Sequence, residues 1–226
     1  VEVFVIKTGG LDQTREVNRR LRAECGIPLS RLAVAALGRG LTGLEFAHGI
    51  PGSLGGAVVM NAGAYGGEMV QVLTAVTYLD EHGREHTVPA SECNLTYRHS
   101  MFTDHPEWLV LEAEMELEQG DAEEIRAKME DLAQRRKSKQ PLEYPSAGST
   151  FKRPEGHFAA ALIEQCGLKG LTVGGAQVSE KHAGFVINRG GATCADILKL
   201  TEQIKETVLR ETGVALELEV RTLGCG

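Results

Sequence analysis

Seven glycines are crowded into the 21 residues 49–69, which read GIPGSLGGAVVMNAGAYGGEM and carry a single charge near their end. Glycine adopts positive φ values easily and lets a ligand approach the backbone closely. The stretch has neither the phosphate-loop pattern GxxxxGKS/T nor the dinucleotide spacing GxGxxG. It is consistent with a backbone cradle for a flat or anionic ligand and equally with a series of tight turns. The apolar run AVVM inside it predicts a short strand.

Composition excludes several classes of partner. The 226 residues are 42% hydrophobic and carry a formal net charge of -7, with basic residues scattered among acidic ones, which argues against binding nucleic acid. No apolar run approaches the ~20 residues of a membrane helix, so we expect no membrane contact and a cytosolic, cytoplasmic protein. Five widely spaced cysteines without a CxxC pair predict reduced thiols rather than disulfides or a metal site.

Periodicity and helix-end signals predict a mixture of strands and helices. Residues 108–118 alternate apolar and acidic side chains, which predicts a strand with Leu109, Leu111 and Ala113 on its buried face. The remaining predicted strands are 1–7, 184–188 and 214–222, a hairpin surrounds Gly83, and the predicted helices are 28–37, 121–140, 158–167 and 193–213.

Four residues have chemistry that a site would use, and each has an ordinary alternative. Arg98 in TYRHSMF can clamp a carboxylate or a developing anion, or it is a surface arginine packed on Tyr97. Ser149 in PSAGSTFKRP lies among small residues as a proton donor, a nucleophile or a turn cap. Glu219 is a site acid or a solvated residue of the last strand, and His182 in EKHAG is a ligand contact or a surface histidine.

Five segments, in this order, resemble the UDP-N-acetylenolpyruvoylglucosamine reductase family. They are GLEFAHGIPGSLGGAVVMNAGAYGGEM, TYRHSMF, AGSTFKRP, GLKGLTVGGAQVSEKHAGFVIN and LELEVRTLG. The resemblance extends over nearly the whole chain, from Val1 to about Gly224. It implies an α+β fold that combines an FAD-binding region of the vanillyl-alcohol-oxidase-like (PCMH) type with a smaller α/β substrate-binding domain.

The resemblance also implies a division of the chain. Residues 1–119 correspond to the FAD-binding region, 120–140 to a linking helix, 141–213 to the UDP-sugar-binding domain, and 214–226 to a terminal strand that returns to the flavin region. Family members carry, further upstream, a first flavin subdomain with a GGGSN-type loop, and this sequence contains no such motif. We therefore expect a chain in which the first subdomain is largely missing, as a fragment or as a variant.

The implied activity is the NADPH-dependent reduction of UDP-N-acetylglucosamine enolpyruvate to UDP-N-acetylmuramate through FAD, a step of peptidoglycan precursor biosynthesis. By motif matching, Arg98 stabilises the enolate-like intermediate, Glu219 assists at the same carboxyl group, and Ser149 donates the proton to carbon. The matched substrate contacts are Tyr97, Lys152 and His182. The residues matched to FAD are Gly49, Ile50, Pro51, Gly52, Ser53, Gly55, Gly56, Ala57 and Asn61.

The sequence departs from the usual motif AGSxFKNP at Arg153, where asparagine is usual. The short spacing between TYRHSMF and AGSTF implies the family subtype that lacks an extra substrate-covering loop. Two other functions use the same residues: a different flavin oxidoreductase of this fold, and a nucleotide-sugar-binding remnant without flavin. The set Arg98, Ser149 and Glu219 argues against the first alternative, and the absent upstream loop motivates the second.

Overall fold

A computed structural model describes residues 5–17 and 20–223, and the chain divides into two compact units, residues 2–135 and residues 136–226. Most of the predicted strand at 1–7 lies outside the described residues, and residues 5–7 are exposed and form no strand. The division by function at residues 119, 140 and 213 concerns cofactor and substrate roles and stays a prediction.

An antiparallel five-stranded sheet frames the first unit. The strands of this unit are β1 (Thr14–Val17), β2 (Arg20–Glu24), β3 (Leu41–Thr42), β4 (Gly63–Ala64), β5 (Gly67–Glu68), β6 (Leu73–Leu79), β7 (Glu85–Pro89), β8 (Leu109–Met115) and β9 (Glu118–Gln119). The sheet has the order β1-β2-β8-β6-β7. The predicted hairpin is confirmed, because β6 and β7 pair around Gly83, whose φ is +74°.

Helices supply the rest of the first unit's core. They are α1 (Leu29–Leu37), α2 (Leu54–Val59) and α3 (Met101–Asp104), with short 3-10 turns at Glu45–Ala47, Met69–Gln71 and Ala90–Glu92. α1 packs on α2, and α2 packs on β2 and β8. The fully buried side chains of this core include Leu21, Leu32, Leu54, Val58, Val76 and Met115.

The AVVM run is helical, so the strand predicted there is wrong. Leu54, Ala57 and Val58 are the buried residues of α2, and their spacing of three and four positions places them on one helix face. Burial of that face against the sheet outweighs the β preference of the two valines. The glycine-rich stretch therefore contains a short helix rather than a strand.

The alternation predicted for β8 fails at its start. Val110 is buried, whereas Leu109 and Leu111 are only partly covered. A register shift between Thr77 and Tyr78 on the neighbouring strand β6 breaks the alternation of faces at this point. From Ala113 onward the buried face is the predicted one.

The second unit has its own small sheet and core. Its elements are α5 (Ala159–Gln165), β10 (Thr172–Val173), β11 (Ala176–Val178), β12 (Val186–Asn188) and α6 (Cys194–Thr212), and α4 (Ala122–Lys139) crosses the division between the units. The strands form an antiparallel sheet in the order β10-β11-β12, and α6 packs on β10, β11 and α5. The fully buried side chains of this core include Ile163, Ala176, Val178, Leu200, Ile204 and Val208.

The predicted helix signals are confirmed at α4 and α6. The Asp121 carboxylate accepts hydrogen bonds from two backbone N–H groups of the first turn of α4, both at 3.0 Å. Thr193 and Asp196 form a reciprocal capping box at the start of α6, and Gly213 ends that helix with a φ of +74°. Within the described residues, no helix is both long enough and apolar enough to cross a membrane.

The closing segment forms less structure than its alternation predicts. Residues 214–222 contain one isolated bridge, between Leu218 and Phe151, instead of a full strand. Pro154, three residues after Phe151, has no N–H group with which to extend the pairing in that direction. The proposed return of residues 214–226 to the flavin region stays a prediction, and residues 224–226 lie outside the described part of the chain.

Candidate active site

The glycine-rich stretch lies along the segment that follows β2. Leu54 N donates to Ile27 O at 2.9 Å, and Gly55 N donates to Cys25 O at 2.8 Å. Gly52, with a φ of +127°, adopts a backbone conformation that other residues rarely reach. The stretch is therefore fixed by the backbone of its neighbour.

Two adjacent glycines in α2 have different surroundings. A Cβ atom at Gly55 would lie 3.0 Å from Cys25 Cβ and 3.3 Å from Cys25 O, so a side chain there would crowd Cys25. A Cβ at the exposed Gly56 would have nothing within 4 Å. Since glycine inside a helix costs about 0.5–1 kcal/mol relative to alanine, Gly56 has no packing reason to be glycine. Bare backbone open to solvent at Gly56 suits the approach of a flat ligand.

The other residues matched to a cofactor differ in exposure. Ala57 is buried in the core, so only its backbone could contact a ligand. Pro51 and Gly52 are exposed, whereas Gly49, Ile50, Ser53 and Gly55 are partly covered.

Asn61 connects the glycine-rich stretch to TYRHSMF. Its side chain is buried, with Nδ2 donating to Glu68 Oε2 and to Thr96 O, both at 3.1 Å, and Oδ1 accepting from Val70 N at 2.9 Å. Both amide hydrogens are thus used inside the unit. The structure gives Asn61 a positioning role immediately before Tyr97.

Tyr97 and Arg98 form the tip of a tight turn. Thr96 N donates to His99 O at 3.1 Å, and His99 N donates to Thr96 O at 3.2 Å. Arg98 has a φ of +55°, and its Cζ lies 5.1 Å from the centroid of the Tyr97 ring. A residue other than glycine in this conformation costs roughly 1–3 kcal/mol, and such strain concentrates at functional sites. The turn therefore fixes an arginine where glycine would be easier to place.

Ser100 and His99 hold this turn in position. Ser100 Oγ donates to Val59 O at 2.7 Å and accepts from Phe102 N, which caps α3. His99 Nε2 contacts Asp104 Oδ1 at 3.0 Å, and this hydrogen bond, with one to a backbone carbonyl, raises the pKa of His99. The turn is consequently joined to the glycine-rich stretch through both Val59 and Asn61.

Tyr65 is a candidate that sequence reasoning missed. Among the described residues, the non-glycine residues with positive φ are Asn61, Tyr65, Asn94 and Arg98. Tyr65 is 44% exposed at the tip of the β4–β5 hairpin and precedes Gly66. Two-residue hairpin turns favour the sequence Asn-Gly, and here Tyr65-Gly66 occupies those two positions. The glycine is therefore a turn signal in the sequence, and the tyrosine in place of asparagine marks an unusual residue at a left-handed position.

In the second unit a short pairing brings Ser149 and Glu219 near each other. Lys152 N donates to Glu217 O, and Glu219 N donates to Thr150 O, both at 2.9 Å. Ser149 is exposed, directly before the buried Thr150, and Glu219 is partly covered. The two predicted catalytic residues are thus carried by two adjacent backbone segments.

Lys152 and His182 lie in the same unit and have defined partners. Lys152 Nζ contacts Glu217 Oε2 at 2.8 Å, and this contact lowers the pKa of Glu217. His182 Nδ1 accepts a hydrogen bond from Gly184 N at 3.1 Å, and burial lowers the pKa of His182. A neutral His182 with Nδ1 as acceptor carries its proton on Nε2, which can donate to a ligand. Arg98 and Tyr97 belong to the first unit.

Two family models match this chain. The model of the UDP-N-acetylenolpyruvoylglucosamine reductase C-terminal domain matches residues 140–223, and a model of an FAD binding domain matches residues 1–89.

Curated relatives and a solved structure agree with these matches. The UDP-N-acetylenolpyruvoylglucosamine reductase of Caldanaerobacter subterraneus is 51% identical over 220 residues, which is 97% of this chain and 72% of the relative. The enzyme of the same name from Clostridium novyi is 51% identical over 97% of this chain and 71% of the relative. The crystal structure of UDP-N-acetylenolpyruvylglucosamine reductase from Thermus caldophilus superposes with a TM-score of 0.77 and 37% identity, covering 89% of this chain and 72% of that one.

Proposed function

The chain belongs to the UDP-N-acetylenolpyruvoylglucosamine reductase family, and we propose that it catalyses NADPH-dependent reduction of UDP-N-acetylglucosamine enolpyruvate to UDP-N-acetylmuramate with FAD. The observation that carries this proposal is 51% identity over 97% of the chain with an enzyme of that name. The product is a precursor of peptidoglycan. We infer a cytoplasmic location because the reaction uses NADPH and a nucleotide sugar, which are charged cytoplasmic metabolites.

The glycine-rich stretch fits a flat cofactor such as FAD. Gly52 and Gly56 are exposed, and a Cβ at either position would have nothing within 4 Å, so the backbone there is open to a ligand. When bound, FAD passes the reducing equivalents of NADPH to the double bond of the enolpyruvyl group. We assign this role to residues 49–57, with Asn61 fixing the stretch from behind.

Arg98 and Glu219 act on the charge that reduction creates. Reduction at the methylene carbon leaves negative charge on the neighbouring carbon and its carboxylate. The Arg98 guanidinium binds that carboxylate with two parallel hydrogen bonds, and its strained turn orients the group before substrate arrives. Glu219 completes the polar environment of the same carboxyl group.

Ser149 supplies the proton that completes the reduction. Its hydroxyl is exposed beside Gly148, whose φ of +86° bends the chain immediately before it. A hydroxyl is a weak acid, so it donates effectively only toward an adjacent carbanion-like centre. Lys152, His182 and Tyr97 are proposed to bind the nucleotide sugar.

The proposal is tested by separating the two half-reactions. Ser149→Ala should leave reduction of flavin by NADPH within about twofold of the unchanged protein. Reoxidation of the reduced flavin by the enolpyruvyl nucleotide should slow by about 10²–10⁴-fold, because the proton is needed only in that half. Anaerobic stopped-flow absorbance of the flavin measures both rates.

The control is Ser91→Ala, which removes an exposed hydroxyl of the first unit and should change neither rate. Equal slowing of both halves by Ser149→Ala would contradict the proton-donor role. A protein that binds the nucleotide sugar but no FAD would instead support the flavin-free remnant.

A further inference from the structure

Glu45 is a buried charge that the proposed mechanism does not use. It lies four residues before Gly49 and is 3% exposed. Its carboxylate accepts a hydrogen bond from Thr42 Oγ1 and another from Gly43 N, the latter at 3.1 Å. Lys128 Nζ of α4 contacts Glu45 Oε2 at 3.4 Å. Burial raises the pKa of this carboxyl, but the hydrogen bonds and Lys128 outweigh burial and lower it, so Glu45 is ionised at neutral pH.

An ionised carboxylate is costly to bury unless hydrogen bonds and opposite charges replace its hydration. The side chain of Glu45 is 2% exposed, whereas that of Lys128 is 60% exposed, so the buried partners of the carboxylate are Thr42 and Gly43. An apolar side chain could fill the same space without this cost. It could not bind the hydroxyl and the N–H group of residues 42 and 43, and that binding fixes the chain where it turns at Gly43, whose φ is +120°.

Hydrogen bonds transmit the position of Glu45 into the glycine-rich stretch. Residues Glu45–Ala47 form a 3-10 turn, and His48 N donates to Glu45 O at 3.3 Å. Ile50 N donates to Ala47 O at 3.0 Å. An unbroken series of backbone hydrogen bonds therefore connects the buried carboxylate to the second residue of the stretch.

The far end of the same loop is held separately. Leu29 N donates to Gly52 O at 3.0 Å, which joins the loop to the start of α1. Residues 49–52 are thus held between two anchors, the turn at Glu45 and the backbone at Leu29. Loss of the first anchor would leave the exposed backbone around Pro51 and Gly52 attached at one end only.

We propose that Glu45 is a positioning residue for the glycine-rich stretch, which holds the turn before Gly49 so that residues 49–52 are preorganised to bind FAD. This inference rests on the proposed function, since it concerns the site assigned there to FAD. Glu45 acts through the Glu45–Ala47 turn and is assigned no contact with the cofactor. A loop already held in its bound shape loses less conformational entropy on binding, so a looser turn should weaken FAD binding.

Hydrogen exchange of the full chain without cofactor tests the first step. Glu45→Gln keeps the size of the side chain but removes its charge, which weakens the hydrogen bonds that it accepts. The amides of His48 and Ile50 should exchange at least about 10-fold faster, because the turn that protects them opens more often. Nuclear magnetic resonance measures the exchange of each amide in the chain.

FAD binding to the same variants tests the second step. The Kd for FAD, measured by quenching of flavin fluorescence, should rise about 3–10-fold in Glu45→Gln, the effect of lost preorganisation. Thr42→Val keeps the side-chain shape and removes one donor to Glu45. It should change both measurements in the same direction by a smaller factor, about two- to fivefold, and it tests the proposal if Glu45→Gln does not fold.

Val76→Ala is the control for a general loss of stability. Val76 is fully buried on β6, so its truncation destabilises the first unit through a cavity and leaves the partners of Glu45 in place. It should not change the exchange of His48 and Ile50 through local opening, and it should leave the Kd for FAD unchanged.

The combination of results decides between positioning and stability. Faster exchange at His48 and Ile50 with weaker FAD binding, in Glu45→Gln but not in Val76→Ala, supports the inference. Unchanged exchange at these amides, faster exchange with unchanged FAD affinity, or equal effects in Val76→Ala overturns it and leaves the proposed function standing. An unsubstituted chain that binds no FAD overturns both.

Discussion

Arg98 has a side chain suited to the reaction and a backbone conformation suited to glycine. With a φ of +55° it is strained, and the hydrogen bonds from Asn61 and Ser100 stabilise the surrounding turn sufficiently to keep it so. Under the proposed function, the strained turn orients the guanidinium before substrate binds.

Replacing Arg98 by glycine and by alanine separates strain from chemistry. Both variants lack the guanidinium and should lose turnover, but Arg98→Gly should be about 1 kcal/mol more stable than Arg98→Ala, because glycine adopts positive φ without a Cβ clash. Urea denaturation measures the difference. Equal stabilities, or a more stable alanine variant, would show that the turn is not strained at this position.

The sequence names candidate site residues, whose roles stay predictions, but it does not predict their conformations. TYRHSMF identifies Arg98 as a candidate, yet no residue in the motif predicts a left-handed turn, because glycine or asparagine would be the usual signal. The sequence does not show that the Asn61 amide joins two segments of the unit, and the cofactor role of Asn61 stays a prediction. Tyr65 differs from Arg98, because the glycine that follows it is a turn signal that the sequence does contain.

At the scale of elements, α2 combines a packed face with an open one. Gly55 faces Cys25 and Gly56 faces solvent, so the same substitution should have opposite effects at neighbouring positions. Gly55→Ala should destabilise the fold by about 1–3 kcal/mol through overpacking. Gly56→Ala should stabilise it by about 0.5–1 kcal/mol, since alanine is the better helix former.

The same pair tests the proposed cofactor site. Gly56→Ala should weaken FAD binding although it stabilises the fold, because its methyl group occupies space beside the bare backbone. Chemical denaturation and quenching of flavin fluorescence measure the two effects independently. A stabilised Gly56→Ala protein with unchanged FAD affinity would place the cofactor away from this face of α2.

Local signals predicted the elements well wherever the chain itself determines their ends. The caps at Asp121 and Thr193 and the hairpin around Gly83 involve residues close in sequence, and all are present. AVVM and residues 214–222 depend on distant partners. Burial of one face made AVVM helical, and residues 214–222 pair only through the bridge between Leu218 and Phe151.

At the scale of the whole molecule, the folded state lowers the pKa of six of the described carboxylates. Burial alone would raise the pKa of Asp80, but hydrogen bonds from His86, Arg84 and His82 lower it well below its usual range. The carboxylates with lowered pKa values are Glu45, Asp80, Glu81, Glu114, Asp196 and Glu217. A carboxylate with a lower pKa in the folded than in the unfolded protein stabilises the fold at pH values above its unfolded pKa, about 4. That stabilisation is lost as the pH falls through its folded pKa.

Stability should therefore fall as the pH is lowered below about 4.5. Asp80→Asn should be less stable at neutral pH and should lose less stability on acidification, because the asparagine cannot be protonated in this range. The raised pKa of His99 acts in the opposite direction, since it stabilises below about pH 6.5 and is lost at higher pH. Unfolding free energies measured from pH 7 to 3 test this, with Glu118→Gln, an exposed position on β9, as the control.

If Asp80→Asn leaves the loss of stability at acid pH unchanged, this carboxylate is not a main source of the pH dependence.

At the scale of the whole chain, the sequence resemblance predicted the family and the FAD-binding α+β class, and the family models and the Thermus caldophilus structure confirm both. The periodicity of apolar residues alone could not have predicted the family or the fold class, because it indicates helices and strands but not how they pack together.

The pairing of β2 with β8 also determines the order in which the first unit can form. Leu21 lies opposite Met115, and the glycine-rich stretch rests on the segment directly after β2. During synthesis, β1, β2 and the glycines leave the ribosome long before β8 exists to complete the sheet. Closing so long a loop carries an entropic cost that slows folding. The helix α2 within the glycine-rich stretch can therefore pack on the complete sheet only after β8 has been made.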